Sequence, residues 1–229
     1  NWDKLKKLLP LTIKSINCKG KFIWWEFKDT ELSLWNTLGM SGWWNTDSKL
    51  KHNNLMFEFE NKTIYFNDVR NFGTIKICTK DNLDKKLKCL GPDILNYQKG
   101  DFQEFLKRIK RKRNDTFICN ALLDQKLLSG IGNYLRADIL YLSKICPFYS
   151  IKKLNEKQLK LIFDNSEKVA NRSYKIQYSK KVSKKDLIHP SLGYRFFFIY
   201  GKNKDPYGNI VLKKKVANRT IHYVPKIQK

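Results

Sequence analysis

Residues 122–140 read LLDQKLLSGIGNYLRADIL, and the reading of this stretch decides the fold. Both flanks carry helical patterning, yet Gly130 and Gly132 fall between them, followed at once by Asn133. Glycine weakens a helix interior by about 1 kcal/mol relative to alanine, so the interruption needs a purpose. On spacing alone two readings stand. One is a plain corner between two helices. The other is a phosphate clamp. A helix N-terminus offers unpaired amides and a partial positive charge, and glycines let the backbone come close to an anion. Asn133 then caps the new helix or donates its side-chain amide to the phosphate.

The surroundings are helical too. Asp115 is the predicted N-cap of a helix in which Phe117, Ile118, Ala121, Leu122 and Gln125 keep a 3–4 spacing. A second helix runs from Tyr134 to Lys144 and stops near Pro147. A third opens at Asn155 with Gln158 completing a capping box, Leu154 stapling to Leu159, and Leu159, Ile162, Phe163, Ser166 and Val169 buried. Upstream, KRIKRKR (107–113) has six basic residues in seven, read equally as a solvated face or as phosphate contacts. Downstream, 172–192 reads as a basic, polar loop.

The two ends of the chain are β-rich. From 11 to about 77, runs such as LTIKSINCKGKFIWWEF and TIYFNDVRNFGTIKI alternate with turn residues, and Leu55, Phe57 and Phe59 repeat at period two. Several strands with little helix point to a sandwich or barrel. The chain returns to strand at Tyr194, turns at Pro206 and Gly208, and forms two short strands with Asn218 and Arg219 near their turn. The expected class is α+β, divided at 1–97, 98–193 and 194–229.

Charge narrows the partners. Lys and Arg number 46 against 21 Asp and Glu, a net charge of +25 over 229 residues. Such a field attracts polyanions, unless it reflects only a lysine-rich coding bias. No apolar run approaches the roughly 20 residues of a membrane span, and no signal peptide opens the chain. Nucleic acid is therefore favoured over membrane. The five cysteines are scattered without C-x-x-C spacing and the three histidines are isolated, so neither a metal nor a cofactor is expected. Unclustered cysteines fit a reducing intracellular compartment, whether nucleus, nucleoid or viral replication site.

At this point the residues resemble a known family. LLDQKLLSGIGNYLRADILYLSKICP resembles the helix–two-turns–helix signature of the formamidopyrimidine-DNA glycosylase/endonuclease VIII family. TLGMSGWW (37–44) resembles its His-Leu-Gly-Met-Ser-Gly loop, and NDVRNFGTIKI (67–77) its Asp-x-Arg-x-Phe-Gly strand and loop. Residues 195–229, with nine Lys/Arg and one acid, resemble its C-terminal finger. That finger usually holds zinc on four cysteines. None is present here, which is similar to the zincless endonuclease VIII-like branch and tilts the expected lesions toward oxidised pyrimidines and hydantoins.

The resemblance implies an N-terminal β-sandwich, a helix–two-turns–helix domain and a zincless β-hairpin finger. It implies a monomer acting on damaged double-stranded DNA as a glycosylase and abasic-site lyase. Met40, Arg70 and Phe72 would fill the void left by an extruded base. Taken singly they read as a core Met, a surface Arg and a core Phe. Lys21, with Lys19 as its competitor, Asn133 and Arg219 would grip phosphates. The family's opening Pro-Glu pair, nucleophile and acid–base group, has no counterpart here: the chain starts at Asn1, and about 45–55 residues are expected upstream, within domain-size norms. Residues 1–229 are thus expected to contain no catalytic residue and to bind DNA without normal excision. Two rivals remain, a non-catalytic DNA-binding relative and an RNA-binding helix–two-turns–helix protein; the latter has no use for the 37–44 and 67–77 loops.

Overall fold

The computed structural model describes residues 2–179 and 197–229. After helix α1 (Trp2–Lys6) come seven strands: β1 (Ile13–Lys19), β2 (Phe22–Phe27), β3 (Leu32–Thr37), β4 (Trp43–Asn45), β5 (Asn53–Phe59), β6 (Lys62–Asn67) and β7 (Thr74–Thr79). They form two antiparallel sheets, ordered β1-β2-β3-β7 and β4-β6-β5. The period-two alternation explains the arrangement: each strand turns alternate residues toward the opposite sheet. Trp25 of the first sheet lies 5.2 Å from Trp44 and 5.4 Å from Phe57 of the second, ring centre to ring centre. Leu34 and Ile77 complete this core with Leu5 of α1. Aromatic pairs of this kind add about 0.5–1.5 kcal/mol each beyond the area they bury.

Helix α2 (Lys80–Cys89) follows β7, an element the sequence patterning did not announce. The chain divides into two compact units, Asn1–Lys88 and Cys89–Lys229. The second contains α3 (Asp101–Lys110), α4 (Ile118–Ala121), α5 (Asn133–Leu142), a 3-10 turn (Ile151–Lys153), α6 (Glu156–Ser179) and the hairpin β8 (Leu212–Val216) and β9 (Arg219–Tyr223). Its core joins Ile118, Leu122, Leu127, Leu128, Ile131, Ile139 and Leu140 to Ile199 and Ile221, so the hairpin segment shares the helices' interior.

Several local expectations are corrected. The helix expected from Asp115 through Gln125 is one turn, with extended Phe117 as its N-cap. Side chains just beyond it capture the backbone instead. Asp124 accepts from the Lys126 amide at 2.8 Å, and Gln125 accepts from Gly130 at 2.9 Å while donating to the Ile131 carbonyl. The strand expected from Tyr194 is absent from its described part, Phe197–Tyr200, whose amides find a carboxylate rather than a ladder. Of the loop expected at 172–192, the stretch to Ser179 is the end of α6; residues 180–192 lie outside the described residues. The capping box holds: Gln158 accepts from the Asn155 amide and Asn155 from the Gln158 amide. The basic run is partly structural, since Arg108 holds Glu104 and the carbonyls of Cys89 and Lys126, Lys112 pairs with Asp124, and Arg113 with Asp115.

Candidate nucleic-acid interface

In the first unit the two motif loops meet. The loop between β3 and β4 carries Met40, and the loop between β6 and β7 carries Arg70 and Phe72. Gly39 sits at φ +63°, and a Cβ there would lie 2.6 Å from the Phe72 carbonyl carbon, so only glycine permits this approach. Asp68, 1% exposed, ties the loops. It accepts from the Ser41 hydroxyl at 2.5 Å, the Gly73 amide at 2.6 Å and the Arg70 amide at 3.2 Å. The Arg70 guanidinium lies 5.0 Å from the Phe72 ring centre and 3.6 Å from the Met40 sulfur. Met40 is 57% exposed and Phe72 55%, which removes the core readings of both. The structure thus gathers the three residues into one apolar tip with a cation in it.

Burial raises the Asp68 carboxyl, but hydrogen bonds from Ser41 and from the amides of Gly73, Arg70 and Phe72 outweigh it and hold the group below its ordinary value of 3.8. A depressed acid stabilises the fold above its unfolded pKa and loses that contribution as pH falls through its folded pKa. Amide protection in 68–73, relative to the intrinsic exchange rate, is therefore expected to fall below about pH 4, and Asp68→Asn to flatten that dependence. The same acid profile in the variant would exclude the Asp68 clasp as its cause.

Lys21 stands apart from this tip in sequence, exposed in the two-residue turn between β1 and β2, where Gly20 takes φ +59°. Its competitor Lys19 is the last residue of β1, paired with Phe22.

In the second unit, the Gly-x-Gly-Asn turn delivers the chain into α5. Gly130 takes φ +107°, its amide held by Gln125. Gly132 is the extended N-cap and offers no side chain to the helix, so the first amides of α5 remain without a side-chain cap. Asn133 is the first helical residue rather than the cap. Its side-chain amide donates to the Thr220 carbonyl at 3.1 Å, and its Oδ1 is buried without a partner. Arg219, next to Thr220, is exposed at the start of β9, after a turn in which Ala217 (φ 45°) and Asn218 (φ 61°) are both left-handed. This pair of positive φ values is the geometry of a type I′ hairpin. The structure therefore ties Asn133 to the residue that follows Arg219 in β9.

Two carboxylates fix the hairpin segment. Asp138, 1% exposed on α5, accepts from the amides of Phe198 at 2.7 Å, Ile199 at 3.0 Å and Tyr200 at 3.3 Å. Burial pushes its carboxyl up, opposed by those three donors and by Lys202. Asp205 gathers the Tyr207 and Asn209 amides, the Asn209 side chain and the Tyr141 hydroxyl. Gln228 closes the last turn by accepting from Val224 and donating to Ile145.

Comparison with known proteins fits this geometry. The formamidopyrimidine-DNA glycosylase N-terminal domain matches residues 3–75, and the H2TH domain of the same enzymes matches 90–184. The formamidopyrimidine-DNA glycosylase of Ligilactobacillus salivarius is 30% identical over 98% of this chain and 84% of its own length. The chain belongs to the formamidopyrimidine-DNA glycosylase family. The Mycoplasma mobile member is likewise 30% identical, over 99% and 85% of the two chains. Among solved structures, the Lactococcus lactis enzyme bound non-covalently to DNA containing an AP site superposes with a TM-score of 0.84 at 28% identity, covering all of this chain and 86% of that one. A mutant of that enzyme in complex with Fapy-dG DNA gives the same TM-score at 27% identity, over 100% and 87%.

The finger's side chains do not fit the zinc that fingers of this family usually hold. No cysteine lies in 195–229, Asp205 is committed to four internal donors, and Val224 is packed in the core. Reading the sequence alone missed Asp68, Asp138 and Gln125 as organisers. Gln125 and Asp138 lie in the opening stretch itself, but nothing in their spacing names the amides they hold.

Proposed function

We propose that this protein is a base-excision repair enzyme, a bifunctional DNA glycosylase and abasic-site lyase for oxidised bases, acting as an intracellular monomer on damaged double-stranded DNA. The observation that carries the reading is the apolar tip of Met40, Arg70 and Phe72, more than half exposed at both apolar members and pinned through Asp68. A tip of this shape suits the gap left when a base is extruded: Phe72 wedges between neighbouring bases, Met40 adapts to the void, and Arg70 donates to the orphaned base edge. Lys21, Asn133 and Arg219 supply contacts to phosphate, which position the duplex without reading its sequence.

The chemistry follows the family pattern. An N-terminal proline amine attacks C1′ as the base departs with a proton from the adjacent glutamate; the C1′–O4′ bond then opens to give an iminium, which acidifies C2′–H so that loss of that proton expels the 3′ phosphate. None of the 229 residues matches that Pro-Glu pair, and the roles assigned within them are in binding and void filling. The names of the relatives' complexes, which include Fapy-dG and carbocyclic 8-oxo-G DNA, make oxidised purines the first lesions to try, with oxidised pyrimidines and hydantoins as the second arm.

Borohydride trapping on duplex DNA with an abasic site tests the reading. With the whole expected upstream segment, beginning Pro-Glu, joined ahead of Asn1, a covalent adduct is expected, weakened by replacing that proline with glycine. Residues 1–229 alone are expected to bind the same duplex without trapping. No adduct from the extended chain sinks the lyase mechanism, and a preference for structured RNA over damaged duplex sinks the repair reading altogether.

A further inference from the structure

Arg136 is the largest fully buried side chain among the described residues, at 0% exposure. Its Nη1 donates to the Cys119 carbonyl at 2.8 Å and its Nη2 reaches the Thr220 carbonyl at 3.5 Å. Its Nε has no partner. No carboxylate pairs with it among the described residues; the ion pairs there involve Arg108, Lys112, Arg113 and Lys160. A buried cation held only by carbonyls is costly unless something supplies the missing negative charge.

Its position says what that is. Arg136 lies one helical turn beyond Asn133 in α5, and both side chains converge on one atom, the Thr220 carbonyl oxygen. Thr220 adjoins Arg219 in β9. The N-terminus of α5, which has no side-chain cap, Asn133 and the residue next to Arg219 therefore meet at the carbonyl that the buried guanidinium also reaches. Burial lowers the Arg136 pKa, Cys119 and Tyr200 oppose that, and the Arg219 guanidinium adds to the lowering by like-charge repulsion. Two cations and a helix N-terminus with no anion among them leave a local field that a phosphate would neutralise.

We propose that Arg136 is a positioning residue of the phosphate grip: it fastens Thr220, and with it Arg219, against α5, and its buried charge strengthens the potential that draws the DNA phosphate there. This rests on the nucleic-acid reading above. The guanidinium does not itself touch the phosphate. It acts by holding Thr220 and by its charge.

The test separates charge from scaffold. Arg136→Met and Arg136→Lys are compared with wild type for binding to an abasic-site duplex across a NaCl series, alongside thermal unfolding. Arg136→Met is expected to bind at least about 10-fold more weakly at low salt, with a shallower dependence of log Kd on log[NaCl]. Its midpoint of unfolding is expected to stay level or rise, because an uncompensated buried charge is gone. Arg136→Lys keeps the charge and is expected to keep the wild-type salt slope. Wild-type affinity and slope in Arg136→Met overturn the proposal, as does a lowered melting point with an unchanged slope, which marks a merely structural residue. Should Arg136→Met fail to fold, Arg136→Gln against Arg136→Lys carries the same comparison, and equal slopes overturn it. If wild type itself shows no salt-dependent duplex binding, the nucleic-acid reading fails instead.

Discussion

Asp138→Ala is expected to release the finger segment from the helices and to cost about 3–5 kcal/mol. The wild-type carboxylate receives three consecutive amides, those of Phe198, Ile199 and Tyr200. Ile199 is 0% exposed, so no water replaces the lost acceptor there, and the orphaned amide bears its full desolvation cost. Phe197 and Tyr200 pack against Tyr134 of α5, and these ring contacts supply no acceptor for the three amides. Urea unfolding and amide exchange measure the effect. Exchange is expected to accelerate at 198–200 and through β8 and β9, with α3 and α6 less affected. Asp138→Asn keeps one acceptor oxygen and places an amide where the other stood, so an intermediate loss of about 1–2 kcal/mol is expected. Duplex binding should fall with both, since Arg219 and Thr220 ride on this segment. Wild-type exchange at 198–200 in Asp138→Ala would show that the core residues Ile199 and Ile221 hold the finger without the carboxylate.

Asp138 also shows what the sequence made legible and what it did not. The period-two runs announced the two sheets, because one-sided burial writes itself into alternation. The Asn155 and Gln158 capping box was legible because its partners lie within a few residues, and so was the hairpin turn to within one residue: it was expected near Asn218 and Arg219 and falls at Ala217 and Asn218. Gly130 was legible as a turn because only a positive φ explains glycine there. The carboxylates were not, because their partners are distant in sequence. Asp138 captures amides some 60 residues on, and Asp68 captures Ser41, 27 residues back. An acidic letter in a sequence does not say which backbone will be left without a ladder. That is also why Phe197–Tyr200 read as strand: its β-prone residues fit a strand, but its amides were already claimed. Asn133 was half legible. Its place at the head of α5 followed from the glycines, whereas its bond to Thr220, 87 residues away, is a tertiary fact.

Replacing both Met40 and Phe72 with alanine is expected to lower excision from duplex DNA by on the order of 100-fold, with a much smaller loss on single strands. Extruding a paired, stacked base costs a few kcal/mol, and each 1.4 kcal/mol corresponds to tenfold. A single strand has no partner base to orphan and little stack to reseal, so void filling contributes little there. The geometry gives the two residues shared support. Arg70 contacts both, by its guanidinium at the Met40 sulfur and over the Phe72 ring, and its own amide is fixed by Asp68 and Ser41. The two truncations are therefore expected to be less than additive, because removing either side chain already loosens Arg70. The fold should tolerate the change, since both side chains are more than half exposed. Excision measured on matched duplex and single-stranded substrates, with the whole expected upstream segment in place, decides it. Equal losses on the two substrates would mean that the tip binds DNA without occupying the space of the departed base. A loss confined to duplex would tie the exposure of Met40 and Phe72 to the one moment when they are buried.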